Sequence, residues 1–257
     1  MTVSALPRSD AAPRRPRIDR GLAMRLAADE YTRCADLLSR LEPEGWSAPT
    51  VNTGWTVRDT AGHMLGMMQM ASSLPQLVGQ MSTSMRLAKK AGAPVSIDHL
   101  TALQVQRNAG LTTPELVAHW RRLAPKAVRG RRRLPGLLHG RTLPEAQLVG
   151  GRLERWTVGF LVDVILTRDP FMHRLDICAA TGLDPLPTPE HDGLLVDDIV
   201  REWAERHGQP YRLELTGPAG GVWGDTGEQI TLDALDFCRI VSGRGSGTGL
   251  LDTAVPF

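Results

Sequence analysis

Apolar residues recur every three to four positions from about residue 18 to 41 (Ile18, Leu22, Ala23, Leu26, Tyr31, Leu37, Leu38, Leu41), the period of one helix face. The pattern stops at Glu42-Pro43-Glu44-Gly45. A second helix is expected to open at Thr56, because Asp59 stands three residues on and can return a hydrogen bond to the cap. It runs through Met64, Met67, Met68 and Met70 towards Lys89 or Lys90, with a break at Pro75, and ends at Gly92-Ala93-Pro94. A further helix is expected from near Ser96 to Gly110. Another opens at Thr113-Pro114-Glu115, read as a cap followed by proline at the first helical position. A basic, proline-punctuated segment from Arg121 to Arg141 follows, and helical spacing returns from Thr157 to Ala180.

The pattern changes after Gly182. Three prolines within residues 185–189 remove backbone donors and restrict their neighbours, so residues 183–189 read as a linker. Asp192 to His207 is again helical and ends at Gly208. Tyr211 to Thr216 alternates apolar and polar residues with period two, a strand signature. Residues 217–221 supply a turn, Val222-Trp223-Gly224 a second short strand, and Ile230 to Ser242 a strand edge or helix. The expected architecture is mainly α: a tail without structure over residues 1–18, a helical bundle over 19–182 and a small α+β domain over 190–257.

Composition adds bounds. The 257 residues carry 30 Lys and Arg against 28 Asp and Glu, a net charge of +2, which gives no global reason to expect nucleic acid as a partner. The run Arg121, Arg122, Lys126, Arg129, Arg131, Arg132 and Arg133 lacks interleaved aromatics and reads as a solvated helix face. No apolar run approaches the roughly 18 residues that would cross a bilayer, and the basic N-terminus lacks the apolar stretch of a secretory signal. A cytoplasmic protein is expected. Cys34, Cys178 and Cys238 are odd in number and far apart, so they suit neither a disulfide framework nor a Cys-x-x-Cys site.

The chemical signal lies in two places. On a helical wheel from Val57, the residues Val57, Ala61, Met64, Leu65 and Met68 form one arc, Arg58, Gly62, Gly66 and Gln69 lie opposite, and His63 falls on the arc's edge. His63 alone reads as a packed core or boundary histidine, and it needs partners to become a ligand. A hundred residues on, Asp169 and His173 are four apart and so share a helix face, with Asp176 three further along. That face also holds Val162, Ile165 and Leu166, and burying two acids and a histidine there is costly unless they are paired or bound to a cation. Two readings stand for Asp169: a ligand, or a helix cap followed by Pro170 at the first helical position. One oxygen and two ring nitrogens with open positions would suit zinc, nickel or another divalent first-row ion in a catalytic site. His99, His119, His139, His191 and His207 have no ligand-spaced neighbours. The glycines of residues 243–249 read as a flexible connection, since no lysine follows.

The chain resembles the actinobacterial mycothiol-dependent maleylpyruvate isomerase family. The resemblance is carried by Trp46-Ser47-Ala48-Pro49-Thr50, by Trp55 to Asp59 leading to His63, and by Met172 to Ile177 with Ala180-Thr181-Gly182. It continues through Leu213 to Gly217, Gly221-Val222-Trp223, Asp236 to Arg239, Gly243-Arg244 and the closing Val255-Pro256-Phe257. It implies a DinB-like four-helix bundle with a small α+β domain, and a divalent metal, usually zinc, held by His63, Asp169 and His173. The family has a glutamate where this chain has Asp169 followed by Pro170, a side chain one methylene shorter. It further implies mycothiol as a thiol cofactor, a small-molecule substrate whose carboxylate is held by Arg239 or Arg244, and isomerisation or S-transfer as the reaction. Asp176 is expected to orient His173. No nucleic acid or membrane partner is expected, and the chain is expected to be a monomer or homodimer. Two other readings stay open: a non-catalytic binding or stress-associated bundle, and a metal-dependent hydrolase or transferase that needs no thiol.

Overall fold

The structure is a computed structural model that describes residues 11–257. The chain divides into two units, one ending at Leu183 and the other spanning Asp184–Phe257. The division falls inside the proline-rich segment. Residues 1–10 of the expected tail lie outside the described residues. The rest of that tail is not free of structure, because the Arg14 amide donates to Arg155 O and Arg14 O accepts from the Thr157 amide, forming a bridge to Trp156.

In the first unit α1 (Arg20–Ser39) is capped by Asp19 and followed by a short α2 (Pro43–Ser47). α3 (Val57–Ser72) opens with the expected reciprocal pair: the Thr56 side chain accepts from the Asp59 amide and the Asp59 carboxylate accepts from the Thr56 amide. The methionine-rich helix breaks at Ser73, before Pro75, and restarts as α4 (Leu74–Ala91), which ends at Gly92 in the left-handed conformation. α5 (Ile97–Asn108) and α6 (Thr113–Arg132) follow. The cap of α6 is Thr112, one residue earlier than expected, because Thr112 and Glu115 form the reciprocal pair. The first part of the basic segment stays in the helix. α6 runs on to Arg132 with Pro125 inside it.

After α7 (Gly136–His139), a hairpin of β1 (Gln147–Val149) and β2 (Arg152–Glu154) interrupts what was expected to be an all-helical region. Gly150 and Gly151, both at positive φ, make its turn. The last helix begins as a π-helical turn at Phe160–Ile165 and continues as α8 (Leu166–Thr181), closed by Gly182 in the left-handed conformation. Helices α1, α6, α3 and α8 pack in a ring, each against the next, and α4 and α5 form an outer pair against α3. The core inside the ring includes Met24, Tyr31, Leu38, Leu65, Trp120 and Ile177. No helix among the described residues is long and apolar enough to cross a membrane.

The second unit begins with a π-helical turn (Pro189–Gly193) leading into α9 (Leu194–His207). β3 (Tyr211–Thr216) is the central strand of a three-stranded sheet, antiparallel to β4 (Gly221–Gly224) and parallel to β5 (Glu228–Asp233). α10 (Ala234–Val241) completes it, capped by Asp233. The ambiguous stretch from Ile230 to Ser242 therefore resolves into a strand followed by a helix. Trp203 and Phe237 meet edge to face at 5.4 Å in its core.

Candidate metal centre

α8 carries most of the chemistry, and its local structure is unusual for two reasons. The π-helical turn adds a residue before it, so the Leu166 amide reaches back five positions to Leu161 O. Four residues into the helix, Pro170 has no N–H to give Leu166 O. That carbonyl accepts instead from Arg131 Nη1 of α6, at 3.0 Å, and Arg131 Nη2 donates to the Thr167 hydroxyl. Asp169 is thus in mid-helix, and the expectation that it caps a helix start is overturned. Arg131 also leaves the solvated basic face to which it was assigned. It is 2% exposed and reaches the Tyr31 hydroxyl at 3.4 Å, while its neighbours in the run are exposed.

The helix brings Asp169 and His173 to one side, and α3 supplies His63 opposite. His63 Nε2 lies 3.4 Å and His173 Nε2 3.5 Å from the same oxygen, Asp169 Oδ1. One ligand atom from each of the three residues falls within 4.8 Å of the others. All three are buried, and the imidazole rings stand edge to face at 5.1 Å. Burial raises the Asp169 carboxyl, but the facing charges of His173 and His63 and their hydrogen bonds outweigh it and hold the group well below the ordinary carboxylate range.

Each ring nitrogen that faces away has a partner. His63 Nδ1 lies 2.8 Å from Gln104 Oε1, and His173 Nδ1 lies 3.0 Å from Asp176 Oδ2. Asn52 Nδ2 donates to the same Asp176 oxygen at 3.3 Å. Trp55 packs against His63 at 5.3 Å and so covers one side of the cluster. Two imidazoles turned by outer acceptors so that both Nε2 atoms face one carboxylate form the donor set of a two-histidine, one-carboxylate cation site. The residues present therefore fit a divalent metal. His63, Asp169 and His173 are brought together as the sequence suggested, and Asp176 stands where it can orient His173. Arg239 lies on α10 and Arg244 just after it, both half-buried in the second unit, with the Arg244 amide donating to Arg239 O.

Sequence reasoning missed three features. The side of α3 opposite the apolar arc, at Gly62 and Gly66, is also buried, under α5, because the absence of side chains there lets Gln104 and Asn108 approach. Gln104 itself was missed. Its signal was the four-residue spacing of Leu100, Gln104 and Asn108, the buried line of α5. His139, which has no ligand-spaced neighbour in the sequence, meets buried Asp163 at 2.6 Å across 24 residues. All three cysteines are free and buried. Burial, with the Glu30 charge beside it, pushes the Cys34 thiol well above its usual value.

Residues 27–178 match the family model described as the mycothiol maleylpyruvate isomerase N-terminal domain. Among solved structures, the chain is similar to a crystal structure of the mycothiol-dependent maleylpyruvate isomerase, at 14% identity and a TM-score of 0.54, over 89% of this chain and 91% of that one. It is also similar to a histidine-to-alanine mutant of that isomerase, at 12% identity and a TM-score of 0.55, with the same coverage. At these identities the likeness is one of fold. No curated protein matches the chain.

Proposed function

The chain belongs to the mycothiol maleylpyruvate isomerase N-terminal domain family, and from that premise we propose that it is a divalent-metal enzyme using a small thiol, mycothiol in the first instance, to isomerise an unsaturated acid. The observation that carries this reading is the convergence of His63 Nε2 and His173 Nε2 on Asp169 Oδ1, with each Nδ1 engaged on the outside. Zinc suits this donor set, and nickel is the alternative ion.

A metal held by His63, Asp169 and His173 would supply one thing, a lowered pKa for a bound thiol, so that the thiolate is available at neutral pH. The chain's own residues do the rest. Gln104 and Asp176 hold the two imidazoles in place, and Trp55 shields His63 from water on one side. The cysteines cannot provide the nucleophile, since all three are buried and the Cys34 thiol is disfavoured as thiolate. The thiol therefore comes from a small molecule. Its thiolate adds to the activated carbon–carbon double bond, the bond becomes single and rotates, and expulsion of the thiolate restores the double bond in the opposite geometry. The thiol is regenerated and no oxidant is consumed.

The test combines metal analysis with turnover. Purified protein is expected to hold about one divalent ion per chain at this cluster, and to isomerise maleylpyruvate only when mycothiol is added. His63→Ala, Asp169→Ala and His173→Ala should each lose the metal and the activity together. Full metal content in all three variants, or turnover without any thiol, would overturn the reading.

A further inference from the structure

Two helices outside the carboxylate–histidine pair, α4 and α5, stand behind His63. Gln104 of α5 places Oε1 2.8 Å from His63 Nδ1, and its Nε2 donates to Gln80 Oε1 of α4 at 2.9 Å. The Gln80 amide in turn donates through Nε2 to Gly66 O of α3 at 3.3 Å. Both glutamines are 0% exposed. A backbone carbonyl can only accept, so the end of this chain at Gly66 dictates the direction of every bond in it. Gln80 must present nitrogen to Gly66 and oxygen to Gln104. Gln104 must then present nitrogen to Gln80 and oxygen to His63. A second acceptor agrees, since Met67 Sδ lies 3.2 Å from Gln104 Nε2. An oxygen facing His63 Nδ1 requires that nitrogen to carry a proton, so a neutral ring, which has one proton only, keeps its lone pair on Nε2, the atom on the Asp169 side.

We propose that Gln80 and Gln104 are positioning residues that act as a directed amide relay, with Gly66 O as its fixed end, to hold His63 in the Nδ1–H tautomer. The proposal rests on the metal-site reading for its purpose but not for its geometry. Neither glutamine touches the cluster's Nε2 atoms, and Gln80 does not touch His63. The two histidines are set by different chemistry: His173 by a carboxylate, Asp176, and His63 by a neutral amide that adds no charge behind the ring. Gly66 also makes the approach possible. A Cβ there would stand 2.5 Å from Gln104 Cβ and 2.6 Å from its Cγ, so a side chain at 66 would push the amide off the ring. This gives the outer pair α4 and α5 a role beyond covering α3.

The discriminating variant is Gln80→Leu, which removes the directing end and leaves Gln104 free to turn its nitrogen towards His63. Two readouts are taken on the full chain: the tautomer of His63, from ring nitrogen NMR shifts of metal-free protein at about pH 8, where an ordinary imidazole is neutral, and the zinc affinity by chelator competition. Wild type is expected in the Nδ1–H form. Gln80→Leu is expected to populate the Nε2–H form and to weaken zinc binding roughly tenfold, and Gln104→Leu to weaken it roughly ten- to a hundredfold. Gln104→Glu, which keeps an acceptor facing the ring, should retain the Nδ1–H form and shows that loss in Gln104→Leu is not mere unfolding. The relay is overturned if wild type holds His63 as Nε2–H, or if Gln80→Leu leaves both tautomer and affinity unchanged while Gln104→Leu alters them. If wild type binds no zinc yet its tautomer shifts in Gln80→Leu, the relay stands and the metal reading falls.

Discussion

The two units bury polar groups in different ways. In the bundle, Glu30 of α1 meets Arg174 of α8 through two hydrogen bonds, at 2.6 and 3.2 Å, across 144 residues of chain. Arg131 of α6 reaches Leu166 O across 35 residues, and His63 reaches Asp169 across 106. In the second unit, buried Glu202 meets Arg206 at 2.6 Å and buried Asp192 accepts from the Thr188 amide at 2.7 Å, each pair four residues apart. Its core also holds Leu195, Ile199, Leu213, Phe237 and Val241, with buried His191 and with Trp203, whose indole N–H donates to Leu250 O across 47 residues. A partner one turn away is present as soon as the turn forms. A partner on another helix is present only once the helices are packed, and until then the buried charge has no compensation. The bundle's interior is therefore conditional on assembly, and this is the interior that holds the candidate metal centre.

This contrast can be broken by single substitutions. The largest effect is expected from Glu30→Ala, which strands the Arg174 guanidinium in the core and should cost about 3–5 kcal/mol by urea denaturation. The double variant Glu30→Leu/Arg174→Met should recover most of that loss, because no uncompensated charge remains. A double variant as unstable as the single would show that packing, not charge pairing, sets the cost. Next is Arg131→Met, which keeps the bulk but leaves Leu166 O unpartnered at the proline gap, for about 1–3 kcal/mol in the same assay. Asp192→Ala, in the second unit, removes the acceptor of the Thr188 amide and hydroxyl and should cost about 1 kcal/mol. The smallest effect is expected from Arg201→Ala. It breaks an exposed pair with Asp197 one turn away, and a change of more than about 0.5 kcal/mol would blur the distinction between the units.

Much of the fold could be read from residue order. The cap at Thr56 and Asp59, the stops at Gly92 and Gly208 and the strand at Tyr211 to Thr216 follow from local chemistry and period. The errors have physical causes. Pro170 looked like a helix start because proline cannot donate, and only a guanidinium from 39 positions earlier in the chain, Arg131, makes it tolerable in mid-helix. The β1–β2 hairpin escaped notice because three-residue strands carry too few positions for a period to show. Of the candidate site, Asp169 and His173 were legible because four-residue spacing fixes their shared face. His63 was legible only as a possibility until α3 and α8 were seen side by side.

The sequence by itself determined most of the helix caps and stops and the strand at Tyr211 to Thr216, and that Asp169, His173 and Asp176 share one helix face, because those outcomes depend on neighbours within about four residues. Only the tertiary structure decided which of those groups meet. It set Asp169 between two imidazoles, placed Arg131 at the proline gap and laid Gln80 and Gln104 behind His63. Such partners are separated by tens of residues and brought together by helix packing, and no local period records where a distant side chain will arrive.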